Sequence, residues 1–369
     1  MTSVIQGTLS SFPLNPSSLI PPPECYKMKK KAVYAINNNF IRYNVVGHSM
    51  QTITSGVMSC LRIIMAGVAL TFVTEVKAQY DVLFSHYYDM ETSFNPAAAG
   101  KNPKLNITAA YAMDLAGFEH NPQTAYVSAD MPFLFLGGTH GAGAQFMSDK
   151  LGLFDHMRIS LQYANKQRLF GGELSIGVQA SLLSEKFDGS GLDLEDSSDP
   201  AFTSSEVNGN GFDLGAGIYY KRKQFYVGVS ALHLTSPKVE LGEVNELQID
   251  PTYYLTAGYA FKLRNPFLTV MTSAIGRTDG VAYRADVTGR LVYQNDTKYM
   301  YGGLSYSPTN SVTALVGMKI QGVTLSYSYE CYTSGVNPGN GSHELFVGYQ
   351  IDLNLVKKGK NVHKAVRIL

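Results

Sequence analysis

The chain has no tryptophan, only three cysteines and few charges: Asp, Glu, Lys and Arg make up 16% of its 369 residues, with a net charge of +1. Each shortage speaks against a class of protein. Cys25 and Cys60 precede the expected mature chain, leaving Cys331 alone, which removes an intrachain disulfide framework and disfavours a thiolate zinc site. A net charge of +1 gives no sign of nucleic-acid binding, which usually demands a basic patch. After residue 78 no uninterrupted apolar run reaches 18 residues, so no helix is expected to cross a membrane. Neither a G-x-S-x-G elbow nor an H-E-x-x-H pair occurs. What abounds instead is glycine, at 35 residues, and tyrosine, at 24.

Residues 58–78, within "MSCLRIIMAGVALTFVTEVKAQYD", read as an export signal. Arg62 precedes the apolar run Ile63 to Val73, and Val76-Lys77-Ala78 offers small residues to signal peptidase. The run is shorter than the roughly 20 residues of a permanent span. Residues 1–57, with Pro21-Pro22-Pro23 and Lys27 to Lys31, show no sustained amphipathic pattern and would hinder export. The simplest expectation is that they are a start called too early, that synthesis begins at Met58, and that the mature chain opens at Gln79.

From Gln79 onward, period-two alternation dominates the chain. Met157, Ile159, Leu161 and Tyr163 fall on one face, and Arg158, Ser160, Gln162 and Ala164 on the other. Leu174, Ile176, Val178, Ala180 and Leu182 likewise oppose Glu173, Ser175, Gly177, Gln179 and Ser181. A one-sided strand of a soluble sandwich also alternates. These runs, however, are about ten residues long, the length that crosses a bilayer at a tilt. The pattern predicts strands near 105–114, 122–131, 139–148, 154–165, 170–185, 209–220, 224–232, 252–263, 266–276, 282–293, 298–306, 310–319, 322–330 and 343–353. The expected fold is therefore all-β, a transmembrane outer-membrane β-barrel of about 14 antiparallel strands over residues 105–353, with residues 354–369 as a basic tail. Bacterial barrels keep short turns in the periplasm and longer loops outside. The three longest connections, Lys186 to Asn208, His233 to Pro251 and Cys331 to Ser342, all follow odd-numbered strands, which puts the N-terminus on the periplasmic side. Pro132 to Gly138 is the one longer connection expected at the inner end. Tyr219-Tyr220, Tyr253-Tyr254, Tyr299 and Tyr301, near strand ends, are expected to supply the interfacial girdles that tryptophan often fills.

The candidate chemistry is sparse. Ser342-His343-Glu344 invites a hydrolase reading, but adjacent strand residues point to opposite faces, so His343 and Glu344 cannot converge on one atom. The acidic stretch Asp188 to Asp199 lacks the order of an EF-hand loop and reads as a solvated outer loop. No catalytic residue, metal or cofactor is expected. Arg158, Glu173, Arg284, Asp286, Arg290 and Glu344 occupy polar strand faces and should point into the lumen, lining a channel or tying lumen groups together. On the same register, a cation at Ile176 should cost far more than one at Ser175. Ahead of the first strand, "FNPAAAG" holds Phe94, Asn95, Pro96, Ala97 and Gly100, where Asn-Pro favours a turn and small residues permit close packing. Residues 79–104 are thus either a lumen plug or a periplasmic segment.

In this order, the opening "AQYDVLFSHYYDMETSFNPAAAG", the stretch "ELSIGVQASLL" and the ending "LSYSYECYTSGVNPGNGSHELFVGYQ" resemble the PorP/SprF family of outer-membrane proteins of the Bacteroidetes type IX secretion system. The N-P-A-x-A-G turn is matched by Asn95, Pro96, Ala97, Ala99 and Gly100. Tyr327, Ser328, Tyr329, Gly341, His343 and Glu344 match the closing pattern, with Glu330 in place of the usual Asp. The leader and the basic tail, Lys357 to Arg367, depart from it. The resemblance implies a non-enzymatic role in the outer membrane, assisting secretion or surface attachment of cargo, an adhesin in members that serve gliding motility. It implies as partners the translocon, the periplasmic ring, an OmpA-like peptidoglycan-binding protein and cargo with type IX C-terminal domains. A transporter of hydrophobic small molecules, resembling the fatty-acid channel family with its own Asn-Pro-Ala hatch, is the alternative; charged inward faces count against it.

Overall fold

The computed structural model describes residues 81–189, 206–242, 245–308, 310–334 and 339–353. The expected leader, signal peptide and tail, and most of the acidic stretch, lie outside the described residues. Sixteen strands follow one another among those described. The first seven are β1 (Lys104–Met113), β2 (Gln123–Phe135), β3 (Gly138–Leu151), β4 (Phe154–Leu169), β5 (Gly172–Asp188), β6 (Glu206–Arg222) and β7 (Phe225–Leu232). A small hairpin, β8 (Lys238–Leu241) and β9 (Asn245–Gln248), comes next. The chain continues with β10 (Thr252–Lys262), β11 (Leu268–Thr278), β12 (Tyr283–Gln294) and β13 (Tyr299–Ser307). It ends with β14 (Ser311–Ile320), β15 (Val323–Tyr332) and β16 (Ser342–Asp352). All but β8 and β9 join into one closed, antiparallel, fourteen-stranded barrel. β1 pairs with β16 from Lys104 opposite Asp352 to Met113 opposite His343, so no edge is left open.

The burial pattern along each strand is inverted relative to a soluble sandwich, and this decides between the two. On β4, Ile159 and Leu161 are 55% and 66% exposed while Ser160 and Gln162 beside them are buried. On β5, Ile176 and Leu182 face out and Ser175, Gln179 and Ser181 face in. Apolar side chains that turn outward all round a closed sheet are stable only against hydrocarbon, where a barrel also pairs every backbone group. Arginine in place of Ile176 is therefore expected to cost about 2–4 kcal/mol, the usual figure at mid-bilayer. Urea titration of the folded, heat-modifiable gel band in lipid vesicles measures it; an unchanged midpoint would contradict the register. Ser175 does face the lumen, but that lumen is filled. Its hydroxyl lies 3.3 Å from the Lys166 ammonium, so arginine there would meet a second cation instead of water, and the expected tolerance at 175 is withdrawn.

Two sequence expectations change in detail. Pro132 to Gly138 is not a longer connection: β2 runs on to Phe135, and only Leu136 and Gly137, with φ of 47° and 81°, make the turn. Pro132 fits within β2 because β1 pairs with β2 only as far as Asp130, which leaves that side of the strand without a ladder. The tyrosines split between the two faces. Tyr253 is half exposed on the outside, while Tyr219, Tyr254 and Tyr301 are buried inside. Adjacent residues of one strand cannot both join a girdle.

At the end with the long connections, the β8–β9 hairpin folds over the inner faces of β5 and β6. Val239, Leu241 and Ile249 pack on Leu183, and Val239 sits where a side chain at Gly209 or Gly211 would be. The opposite end carries short turns, such as Phe170-Gly171 and Gln321-Gly322.

Candidate functional site: a lumen filled by the N-terminal segment

Residues 81–100 run through the lumen from near the long-connection end to the short-turn end, and nearly all are buried. The segment has little regular structure, only 3-10 turns at Glu91–Ser93 and Pro96–Ala98, so its backbone polar groups need partners from the wall.

At its start, Asp81 is surrounded by cationic and hydroxyl donors from four strands or their ends. Arg158 Nη1 lies at 2.9 Å, His233 Nε2 at 3.2 Å and the Tyr254 hydroxyl at 2.8 Å, and Arg277 donates to the Asp81 carbonyl. Burial alone would raise the Asp81 carboxyl, but His233, Arg158 and Tyr254 overcome it and hold the group well below the usual carboxylate range. His233, just past β7, is itself gripped from the other side by Asp213 of β6 at 3.1 Å. Burial opposes its charge, yet Asp81 and Asp213 push its pKa up to about 9. Relative to an unfolded value near 6.5, the folded state holds an extra proton between the two. This contribution, about 3 kcal/mol at most, is complete below pH 6.5 and lost as pH rises through about 9. Stability measured from pH 6 to 10 is expected to fall across that window, and His233→Gln to flatten it.

Midway, the carboxylate of Glu344 on β16 accepts from Ser85 N at 2.6 Å, His86 N at 3.1 Å and His86 Nδ1 at 2.6 Å. His86 also stacks on Phe346, ring centroids 5.5 Å apart. Arg290 lies over the Tyr88 ring, 3.3 Å from its centroid, and 3.6 Å from Asp89. Lower down, Phe94 stacks on Tyr254 at 5.5 Å, and its carbonyl accepts from Ser230. Asn95 uses both ends of its amide: Oδ1 caps Ala97 N at 3.0 Å, and Nδ2 donates to the Ile218 carbonyl at 3.2 Å. Ala97 lies directly on Gly177, where any Cβ would strike its backbone, and Asn95 does the same to Gly217 with its side chain. Gly100 takes a φ of 65°, donates to Asp130 at 2.8 Å and touches the backbone at Met131 and Pro132. Glu91, buried, pairs with Lys101 at 2.5 Å.

All six lumen charges named from the sequence sit at inward positions, but they do not form one constellation. Arg158, Arg290 and Glu344 hold the N-terminal segment. Arg284 pairs with Asp286 at 3.1 Å and with Glu330 at 3.0 Å near the long-connection end. Glu173 meets Lys166 at 3.5 Å at the other. In the closing motif, Tyr327 donates to or accepts from His343 at 2.7 Å on the outside, and the Tyr329 ring lies 5.2 Å from the His343 ring. Gly341, at a φ of 63°, offers its carbonyl to Ala116 N. Asp81, His86, Glu91, Lys101, His233 and the receiving glycines were missed by sequence reasoning. The available signals were acids scattered through an aromatic segment and glycines recurring at inward positions.

Fold and lumen together define an outer-membrane type of β-barrel filled by its own N-terminal segment. The model of the type IX secretion system membrane protein PorP/SprF family matches residues 76–349, and the chain belongs to that family. No curated relative matches. Among solved structures, a Pseudomonas aeruginosa FadL homologue is similar at 12% identity and a TM-score of 0.44, covering 70% of this chain and 93% of its own. The Ralstonia pickettii toluene transporter TbuX follows at 13% and 0.41, covering 76% and 96%. The Pseudomonas putida toluene transporter TodX stands at 10% and 0.40, covering 74% and 95%. At such values these likenesses say nothing of function.

Proposed function

We propose that the protein is a non-enzymatic outer-membrane component of the type IX secretion machinery, and that residues 81–100 plug its barrel. In this reading the short turns face the periplasm, the long connections face outward, and β1 starts from the periplasmic side. The barrel assists secretion or surface attachment of cargo with type IX C-terminal domains, a gliding adhesin in some members. It does so alongside the translocon, the periplasmic ring and an OmpA-like peptidoglycan-binding protein. One observation carries the proposal: Glu344 of the family's closing motif accepts three hydrogen bonds from the opening segment at Ser85 and His86. The two ends of the family signature thus meet inside the barrel, as a held segment requires. A carrier of hydrophobic molecules needs an apolar route, whereas this lumen is crossed by Arg158, Glu344 and Arg290.

Removing residues 84–100 while keeping everything before them tests the plug. The shortened barrel should still insert and run as a heat-modifiable band, but conduct ions in planar bilayers or lose type IX components in pull-downs. Unchanged conductance with unchanged partner recovery would make the segment a mere leader. Deleting the gene and comparing surface and medium proteomes tests the secretion role; identical proteomes would overturn it.

A further inference from the structure

Towards the long-connection end the inward carboxylates Asp149, Glu185, Asp213, Asp286 and Glu330 are accompanied by the cations Arg158, Arg277 and Arg284. At the short-turn end the last inward positions are Lys104 of β1, Arg168 of β4, Lys221 of β6, Lys262 of β10 and Lys319 of β14. These five cations stand around most of the mouth. Each continues the inward register of its strand, as Lys319 continues Ser311, Thr313 and Leu315.

The carboxylates at that mouth are already engaged. Glu91 holds Lys101, Glu173 holds Lys166, and Asp130 receives Gly100 N and Asn106. Lys104 reaches the exposed Asp352 at 3.0 Å. Arg168, Lys221, Lys262 and Lys319 form no ion pair among the described residues. Beside them a polar cavity of about 330 Å³ opens between the N-terminal segment and the wall, where Lys101, Lys104 and Lys319 meet Asn106, Tyr299 and Gln350 together with the carboxylates Glu91, Asp130 and Asp89, the last 3.6 Å from Arg290.

We propose that this mouth is a docking site for an acidic polypeptide segment of a partner on the short-turn side. A ring of cations, most without an ion pair, around a cleft with low-dielectric walls focuses potential and draws in an anionic chain. The cavity then offers the Lys319 ammonium, with amide and phenol donors beside it, to a carboxylate. Phospholipid headgroups are a poorer match, because these positions face inward, away from the apolar belt. The proposal rests on the orientation proposed for the barrel, in which the short turns face the periplasm, and it gives the chemistry of the partner met there.

The test uses the full mature chain in neutral detergent and a fluorescein-labelled peptide of alternating Asp and Glu, read by anisotropy. Binding is expected at about 50 mM salt and should weaken steeply towards about 300 mM. The triple variant Lys221→Glu, Lys262→Glu, Lys319→Glu should bind about tenfold or more weakly. Lys150→Glu with Lys186→Glu, at the other end, should bind as the parent does. Heat-modifiability shows that each variant is folded. Equal affinity of the triple variant and the parent would overturn the proposal. So would binding of phosphatidylglycerol vesicles or inorganic phosphate, but not the peptide, through the same lysines. Conductance of the chain lacking residues 84–100 reports on the plug separately, so either reading can fail alone.

Discussion

Asp81→Asn is expected to release the N-terminal segment from the barrel wall. The substitution keeps the side chain's shape and removes one negative charge. Arg158 and His233 would then face a neutral amide in a site closed to water, with Arg277 close by on the Asp81 carbonyl. Taking one partner from a buried ion pair typically costs about 3–5 kcal/mol, because the remaining charge is left without compensation. The barrel's own ladder is untouched, so the cost falls on docking of the segment. The expected result is a folded, heat-modifiable protein with raised conductance in planar bilayers and new chymotrypsin cleavage at Tyr87 or Tyr88. If its conductance and cleavage match the parent's, Asp81 is not what holds the start of the segment.

The barrel was legible in the sequence because a membrane strand writes its two faces into alternate residues. Ile159, Leu161 and Tyr163 read as one face without any knowledge of partners, and fourteen such runs close a sheet. The β8–β9 hairpin was not legible: four-residue strands such as Lys238–Leu241 give too short a pattern, and its inward fold depends on Gly209 and Gly211 on the inner face of β6. The N-terminal segment was half legible. Asn95, Pro96 and Gly100 announce turns by their own backbone preferences. Asp81, Glu91 and His233 announce nothing locally. For Asp81 the partners Arg158 and Arg277 lie 77 and 196 positions away, and only the closed barrel brings them together. The split of Tyr253 and Tyr254 between the two faces was implicit in the period of two, but the girdle expectation took both together.

Gly177→Val should displace the Asn-Pro-Ala turn while leaving the strand intact. Valine is among the best strand formers, so β5 itself stands to gain. The new Cβ, however, would enter the backbone of Ala97, and a main chain cannot swing aside as a long side chain can. Ordinary overpacking costs about 1–3 kcal/mol, and here relief requires moving Asn95 to Ala98 off the wall. That movement would break the Asn95 bond to Ile218 and the Ser230 bond to Phe94. A control lies in the same barrel: a Cβ at Gly289, on the outer face of β12, meets nothing within 4 Å. Gly289→Val should therefore behave as the parent in every assay. The pair separates a packed lumen from a loose leader. Gly177→Val is expected to stay heat-modifiable, conduct ions and expose Phe94 to chymotrypsin, and Gly289→Val to stay heat-modifiable and do neither of the others. Indistinguishable behaviour of the two variants would mean that Ala97 does not rest on Gly177 in the membrane.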